Sequence, residues 1–126
     1  MINILAVAAG GAVGSVARYL LMGRVALWLG TAFPWGTLAV NVIGCAIYGM
    51  LVEVFARKWS AGGEVQALLF VGFLGGFTTF SAFSFDVYVL YERGAVAEAA
   101  IYVIASVALS VLGLFAGLHL LRSLLA

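Results

Sequence analysis

The sequence predicts an all-α membrane protein with four transmembrane helices, and three observations carry that reading. Of the 126 residues, 66% are hydrophobic and 9% are charged, whereas a soluble domain carries roughly 25% charged residues to face water. The charges fall in clusters separated by four long uncharged stretches. Each stretch approaches the roughly 20 residues a helix needs to cross a hydrocarbon core. Spans are expected at approximately 2–23, 36–56, 65–91 and 95–121, in a single four-helix domain covering 1–126.

The first span is uncharged from Met1 to Ala17 and is followed by Arg18 and Arg24. It lacks the basic lead-in and small-residue cleavage site of a signal peptide and is expected to be retained. Pro34, the only proline, lies between Gly30 and Gly36 and marks the first turn. The second span runs to a polar cluster from Glu53 to Glu64 that holds Arg57 and Lys58. The third begins at Val65 and meets charge at Asp86, with Glu92, Arg93 and Gly94 forming the next turn. The fourth is uncharged from Ala99 to Leu121 and closes on Arg122. Trp28, Trp35 and Trp59 all fall at span ends, where amphipathic rings favour the headgroup region.

Several function classes fall away at this stage. A net charge of +1 leaves no electrostatic footprint for nucleic acid. The single cysteine, Cys45, can form neither an internal disulfide nor a multi-thiolate metal site, and reads as a small packing residue. The single histidine, His119, reads as a polar residue near a helix end. No nucleophile, base and orienting group stand in a pattern that points to an enzyme.

Sixteen glycines need a reason in so helical a chain. Small residues recur four apart at Ala6, Gly10 and Gly14, at Cys45 and Gly49, at Gly72 and Gly76, and at Gly113 and Gly117. Such spacing lets helices approach closely in lipid, and a protomer this small is expected to need a partner to complete the seams. Basic residues are nearly balanced between the two ends of the bundle. Arg57, Lys58 and Arg122 lie with the termini, and Arg24 and Arg93 lie opposite, joined by Arg18 if it snorkels that way. Orientation follows a Lys/Arg excess; here the count is compatible with insertion in both directions or with one topology set by a small bias.

Polar residues within spans mark candidate function. Asn41 is placed either to bridge helices or to line an aqueous path. Tyr102, Ser106 and Ser110 recur at four-residue spacing on one face of the fourth span. In the third span, Gly75-Gly76 is followed by Thr78-Thr79, a poor continuous helix near the bilayer midplane. Irregular backbone at that depth must be buried in protein or line a cavity. Freed carbonyls there suit ion binding, and the alternative is a kinked packing helix. Beyond that point Phe80 and Phe83 share a side, as do Ser81 and Ser84.

The run Gly72-Phe73-Leu74-Gly75-Gly76-Phe77-Thr78-Thr79-Phe80-Ser81-Ala82-Phe83-Ser84 resembles the third-helix signature of the Fluc/CrcB family of fluoride channels. Trp35 to Asn41 with Gly44, and Gly10-Gly11-Ala12-Val13-Gly14 with Arg18-Tyr19, are similar to its second- and first-helix patterns. The similarity spans essentially the whole chain. It implies an antiparallel, dual-topology homodimer with two fluoride pores and a third helix broken at midspan. It implies a structural sodium ion at the dimer centre, held by the main-chain carbonyls of Gly75 and Thr78. It carries the pore phenylalanines to Phe80 and Phe83, the second-helix asparagine to Asn41 and the hydroxyl positions to Ser81 and Ser84. Tyr102 and Ser106 match the family's fourth-helix polar track, and Arg18 a first-helix basic position. Ala82 stands where the family commonly has threonine, so this chain lacks a hydroxyl there.

The chemistry is coherent with that resemblance. Aromatic rings have positive edges, and hydroxyls and amides donate to a partly dehydrated anion. The function expected is passive fluoride export, relieving fluoride toxicity, across a bacterial-type inner membrane, with lipid and a second copy as partners. The choice of fluoride rests on the resemblance alone. The rival is a small multidrug-type proton-coupled exporter, which needs an embedded carboxylate; the first span has none, and Asp86 lies towards one end of the third. A third reading is a membrane assembly protein that conducts nothing.

Overall fold

The computed structural model describes the whole chain, Met1–Ala126. It is helical throughout: α1 (Ile2–Leu29), α2 (Trp35–Arg57), α3 (Gly63–Gln66), a π-helical segment (Ala67–Leu74), α4 (Gly75–Phe77), α5 (Phe80–Glu92) and α6 (Val96–Leu125). Four stretches are long and apolar enough to cross a membrane: α1, α2, the joined stretch Gly63–Glu92, and α6. α1 continues to Leu29 and α6 to Leu125, past the ends expected at 23 and 121.

Two turns depend on glycine. Gly30 after α1 has φ 80°, and Gly94 between α5 and α6 has φ 79°, a region that side chains avoid. Arg93 Nη2 donates to the Ala32 carbonyl at 2.7 Å and ties these two turns together at one end of the bundle. At the other end, Arg122 of α6 donates through Nη2 to Glu53 Oε1 of α2 at 2.8 Å.

The bundle is built on two seams. α2 lies against α6, where a Cβ on Gly49 would collide with the Leu114 carbonyl and one on Gly117 with the Ala46 carbonyl. α1 lies in the same way against the π-helical segment, through Gly10 and Gly14. Backbone-to-backbone approach of this kind is what small residues permit in lipid. A modest apolar cluster of Leu38, Phe83, Leu90, Ala99 and Tyr102 fills the space between α2, α5 and α6. Large side chains such as Leu27 (79% exposed) and Tyr19 (76%) face outward, a surface suited to lipid or a partner chain.

The third span differs from expectation in where its helix is irregular. Gly75 is helical, with φ −64° and ψ −35°, and no break falls at Gly75–Gly76. Instead Thr78 (φ −87°, ψ 156°) and Thr79 (φ −150°, ψ 119°) are extended, and the joined helix is only slightly bent. The glycines serve a different purpose: a Cβ on Gly76 would stand 2.7 Å from the Gly11 carbonyl of α1. The preceding i→i+5 hydrogen-bonded segment, Ala67–Leu74, is a second irregularity in the same span.

Candidate functional site

The two extended threonines are held open by named hydrogen bonds. The Thr79 N–H donates to Asn41 Oδ1 at 2.8 Å, and Asn41 Nδ2 donates to the Thr79 carbonyl at 3.1 Å. The asparagine of α2 thus pairs with both backbone groups of one residue, as a neighbouring strand would. Thr79 also caps α5, its Oγ1 accepting from the Ala82 N–H at 3.1 Å. Thr78 bonds back to the end of the π-helical segment, its N–H and Oγ1 both donating to the Leu74 carbonyl, at 3.0 and 2.9 Å.

These bonds redirect two donors. In a continuous helix the Thr79 N–H would serve the Gly75 carbonyl, and the Ala82 N–H would serve the Thr78 carbonyl. Both are engaged elsewhere, so the carbonyls of Gly75 and Thr78 lose their helical donors. Gly75 and Thr78 share a cleft of about 180 Å³ with Gly44, Tyr48 and Phe70. A pair of deprived carbonyls suits a hard cation. No group of three or more His, Cys, Asp or Glu side chains offers another metal site.

On the other side of Thr78, a groove of about 310 Å³ is lined by Asn41, Thr79, Phe80, Phe83 and Ser106, among others. Phe80 is 77% exposed, whereas Phe83 is buried; their ring centroids lie 5.4 Å apart at 48°. Tyr102 is fully buried behind Phe83, with centroids 5.1 Å apart. Its hydroxyl donates to Asp86 Oδ2 at 3.0 Å, and the Phe33 and Tyr102 rings meet edge-on. Ser106 lines the groove, and its buried Oγ has no hydrogen-bond partner within geometric reach.

The sequence-expected residues therefore fall into groups. Asn41, Phe80, Phe83 and Ser106 come together on one groove, and Gly75 and Thr78 on the adjoining cleft. Ser81 is exposed, with its Oγ 3.3 Å from Thr79 Oγ1. Ser84 is exposed on α5, off the groove wall. Arg18 is separate, in a shallow depression along α1 with Tyr19, Met22 and Arg24. Sequence reasoning passed over Thr79 as an individual residue, although it organises the site. It also read Cys45 as packing, and it placed Ser110 on a polar face with Tyr102 and Ser106 without carrying it into the site; both reach the groove wall. The only available signal for Ser110 was its four-residue spacing from Ser106.

The chain is similar to known proteins along nearly its whole length. A family model described as "CrcB-like protein, Camphor Resistance (CrcB)" matches residues 5–118. A Chelativorans protein named "Fluoride-specific ion channel FluC" is 57% identical over 125 residues, covering 99% of this chain and 100% of the relative. Proteins of the same name from Rhizobium etli and Rhodospirillum centenum are 56% and 57% identical. They cover 98% of this chain, and 99% and 98% of their own lengths.

Proposed function

The chain belongs to the CrcB-like family, and on that premise we propose that it is a fluoride-specific ion channel. It lets fluoride leave the cytoplasm passively, relieving fluoride toxicity, as a multi-pass protein of a bacterial-type inner membrane. The observation that carries this reading is full-length similarity to relatives bearing that channel's name. It is a channel, not an enzyme.

Fluoride passes along the groove of Asn41, Phe80, Phe83 and Ser106. Phe80 and Phe83 meet the anion with their positive ring edges. Asn41 has one Nδ2 hydrogen committed to Thr79 and its second free to donate. Ser106 offers a buried, unpartnered hydroxyl, and Ser81 and Ser84 supply donors on the exposed side of α5. Tyr102 sets the floor beneath Phe83. Arg18 contributes only from the α1 surface, away from the groove. With no Lys or Arg lining the groove, the anion is met by dipoles it can leave, as conduction requires.

The working unit is an antiparallel, dual-topology homodimer embedded in lipid. Near-balanced basic residues support it, as does the exposure of Phe80, which lies on an open groove that a second copy would close. The interruption at Thr78–Thr79 acts as the midspan helix break. The carbonyls of Gly75 and Thr78, which lack their helical donors, would hold a structural sodium ion, which would supply a fixed positive charge without any carboxylate.

Growth tests this function directly. Bacterial cells lacking their own fluoride exporters should grow in millimolar-range fluoride when they express the chain, and tolerate less fluoride when they express Phe83→Ile. Unchanged fluoride sensitivity, with the protein present in the membrane, would argue against it.

A further inference from the structure

The end of the bundle opposite Arg93 carries a charge cluster that the conduction path does not use. Glu53 of α2 is 5% exposed, and its two oxygens have different partners. Arg122 of α6 donates to Oε1 through Nε at 3.1 Å and Nη2 at 2.8 Å. Arg57 donates to Oε2 through Nε at 2.7 Å. The Arg122 bond links two helices and satisfies the need to pair a buried carboxylate. The Arg57 bond lies within α2 at i,i+4 and links nothing. Its consequence is to fix a guanidinium whose two Nη groups stay uncommitted. Nη1 of Arg122 is uncommitted as well.

One carboxylate thus holds two guanidiniums, leaving a surplus positive charge, with Lys58 adjacent in sequence. The side chains of Arg57 and Arg122 are 40% and 50% exposed. Their depth is set by helix length. α6 has 30 residues, about 45 Å at 1.5 Å per residue, so its ends pass beyond a hydrocarbon core of roughly 30 Å. Arg122 lies in its last turn. Trp59, 47% exposed, stacks at a tilt on Phe55 beside the cluster, an arrangement suited to the headgroup layer.

We propose that Arg57 and Arg122, positioned by Glu53, form a binding site for the phosphate of an anionic lipid headgroup. Fixed guanidinium donors match phosphate oxygens in geometry and charge. The acyl chains then continue along the apolar side of α2 and α6, which an inorganic anion could not exploit. The site lies apart from the groove and does not depend on the fluoride reading.

The test is native mass spectrometry of the purified full-length protein with added phosphatidylglycerol, phosphatidylcholine or inorganic phosphate. The site predicts retained phosphatidylglycerol, with phosphatidylcholine and phosphate bound at least about tenfold more weakly. The triple variant Glu53→Gln/Arg57→Gln/Arg122→Gln removes the carboxylate with its partners, so no buried charge is left unpaired. It should lose that preference while Arg93→Gln, at the other end, keeps it. A second variant, Arg57→Gln alone, spares the α2–α6 link and should weaken lipid retention without lowering the melting temperature by more than a few degrees. Equal phosphatidylglycerol retention by the triple variant and the parent would overturn the assignment. Displacement of the lipid by inorganic phosphate would do so too, by marking a site for the free anion.

Discussion

Thr79 shows how much one residue decides. Its backbone pairs with the Asn41 amide and its hydroxyl caps α5, so it fixes both the interruption and the direction in which Phe80 and Phe83 leave it. Losing a Thr cap costs about 1 kcal/mol. Thr79→Val should therefore destabilise the fold by that amount and reduce fluoride flux, whereas Thr79→Ser should restore both. Flux and thermal unfolding measured together check this; full flux in Thr79→Val would remove the cap from the account. Phe80→Ile and Phe83→Ile keep apolar bulk but lose the ring edge, an interaction of about 1 kcal/mol. Each should lower flux roughly fivefold while leaving a folded protein, as read by ion efflux and size-exclusion profile. The motif around these residues was legible in sequence. The pairing that opens the backbone was not, because Asn41 and Thr79 are 38 positions apart and nothing local joins them.

At the scale of elements, hydropathy and turn residues located the four spans, and four-residue glycine spacing located the seams. Gly49 and Gly117 meet the carbonyls of the opposing helix within one protomer, so the spacing marked close packing, but these seams close without the partner they were expected to need. Gly117→Val should force α2 and α6 apart and destabilise the protein by about 1–3 kcal/mol. Gly23→Val, where a Cβ meets nothing within 4 Å, should have little effect; detergent-solubilised thermal stability compares them. The third span was less legible. The Gly75–Gly76 pair read as the place where the helix breaks, but these glycines stay helical, and Gly76 lies against α1. The irregular residues are instead the β-branched threonines that follow. The π-helical segment before them left no mark in composition, since i→i+5 and i→i+4 helices draw on the same apolar residues. Its setting is tertiary: the carbonyls of Leu68 and Phe73 face Gly10 and Gly14 of α1.

The whole molecule is legible as a membrane protein from its 9% charged residues, while its assembly has to be argued from surfaces left open. Gly75 is exposed, and a Cβ there would meet only the Phe70 carbonyl, at an ordinary 3.9 Å. Gly75→Val is therefore tolerated within one protomer. If two copies meet at a shared sodium ion, Gly75→Val should disrupt the dimer, and replacing sodium with a bulky organic cation should weaken dimer and flux alike. A Gly75→Val protein that dimerises and conducts normally, in either salt, would count against the ion site. Whatever its assembly, this chain should conduct fluoride passively and in preference to chloride. The most direct measurement loads liposomes holding the purified protein with potassium fluoride, adds a potassium ionophore to remove the electrical block, and records release with a fluoride electrode. Fluoride should be released rapidly without a proton gradient, with little chloride release from matched liposomes. Fluoride release no faster than from protein-free liposomes, or equal release of both anions, would contradict it.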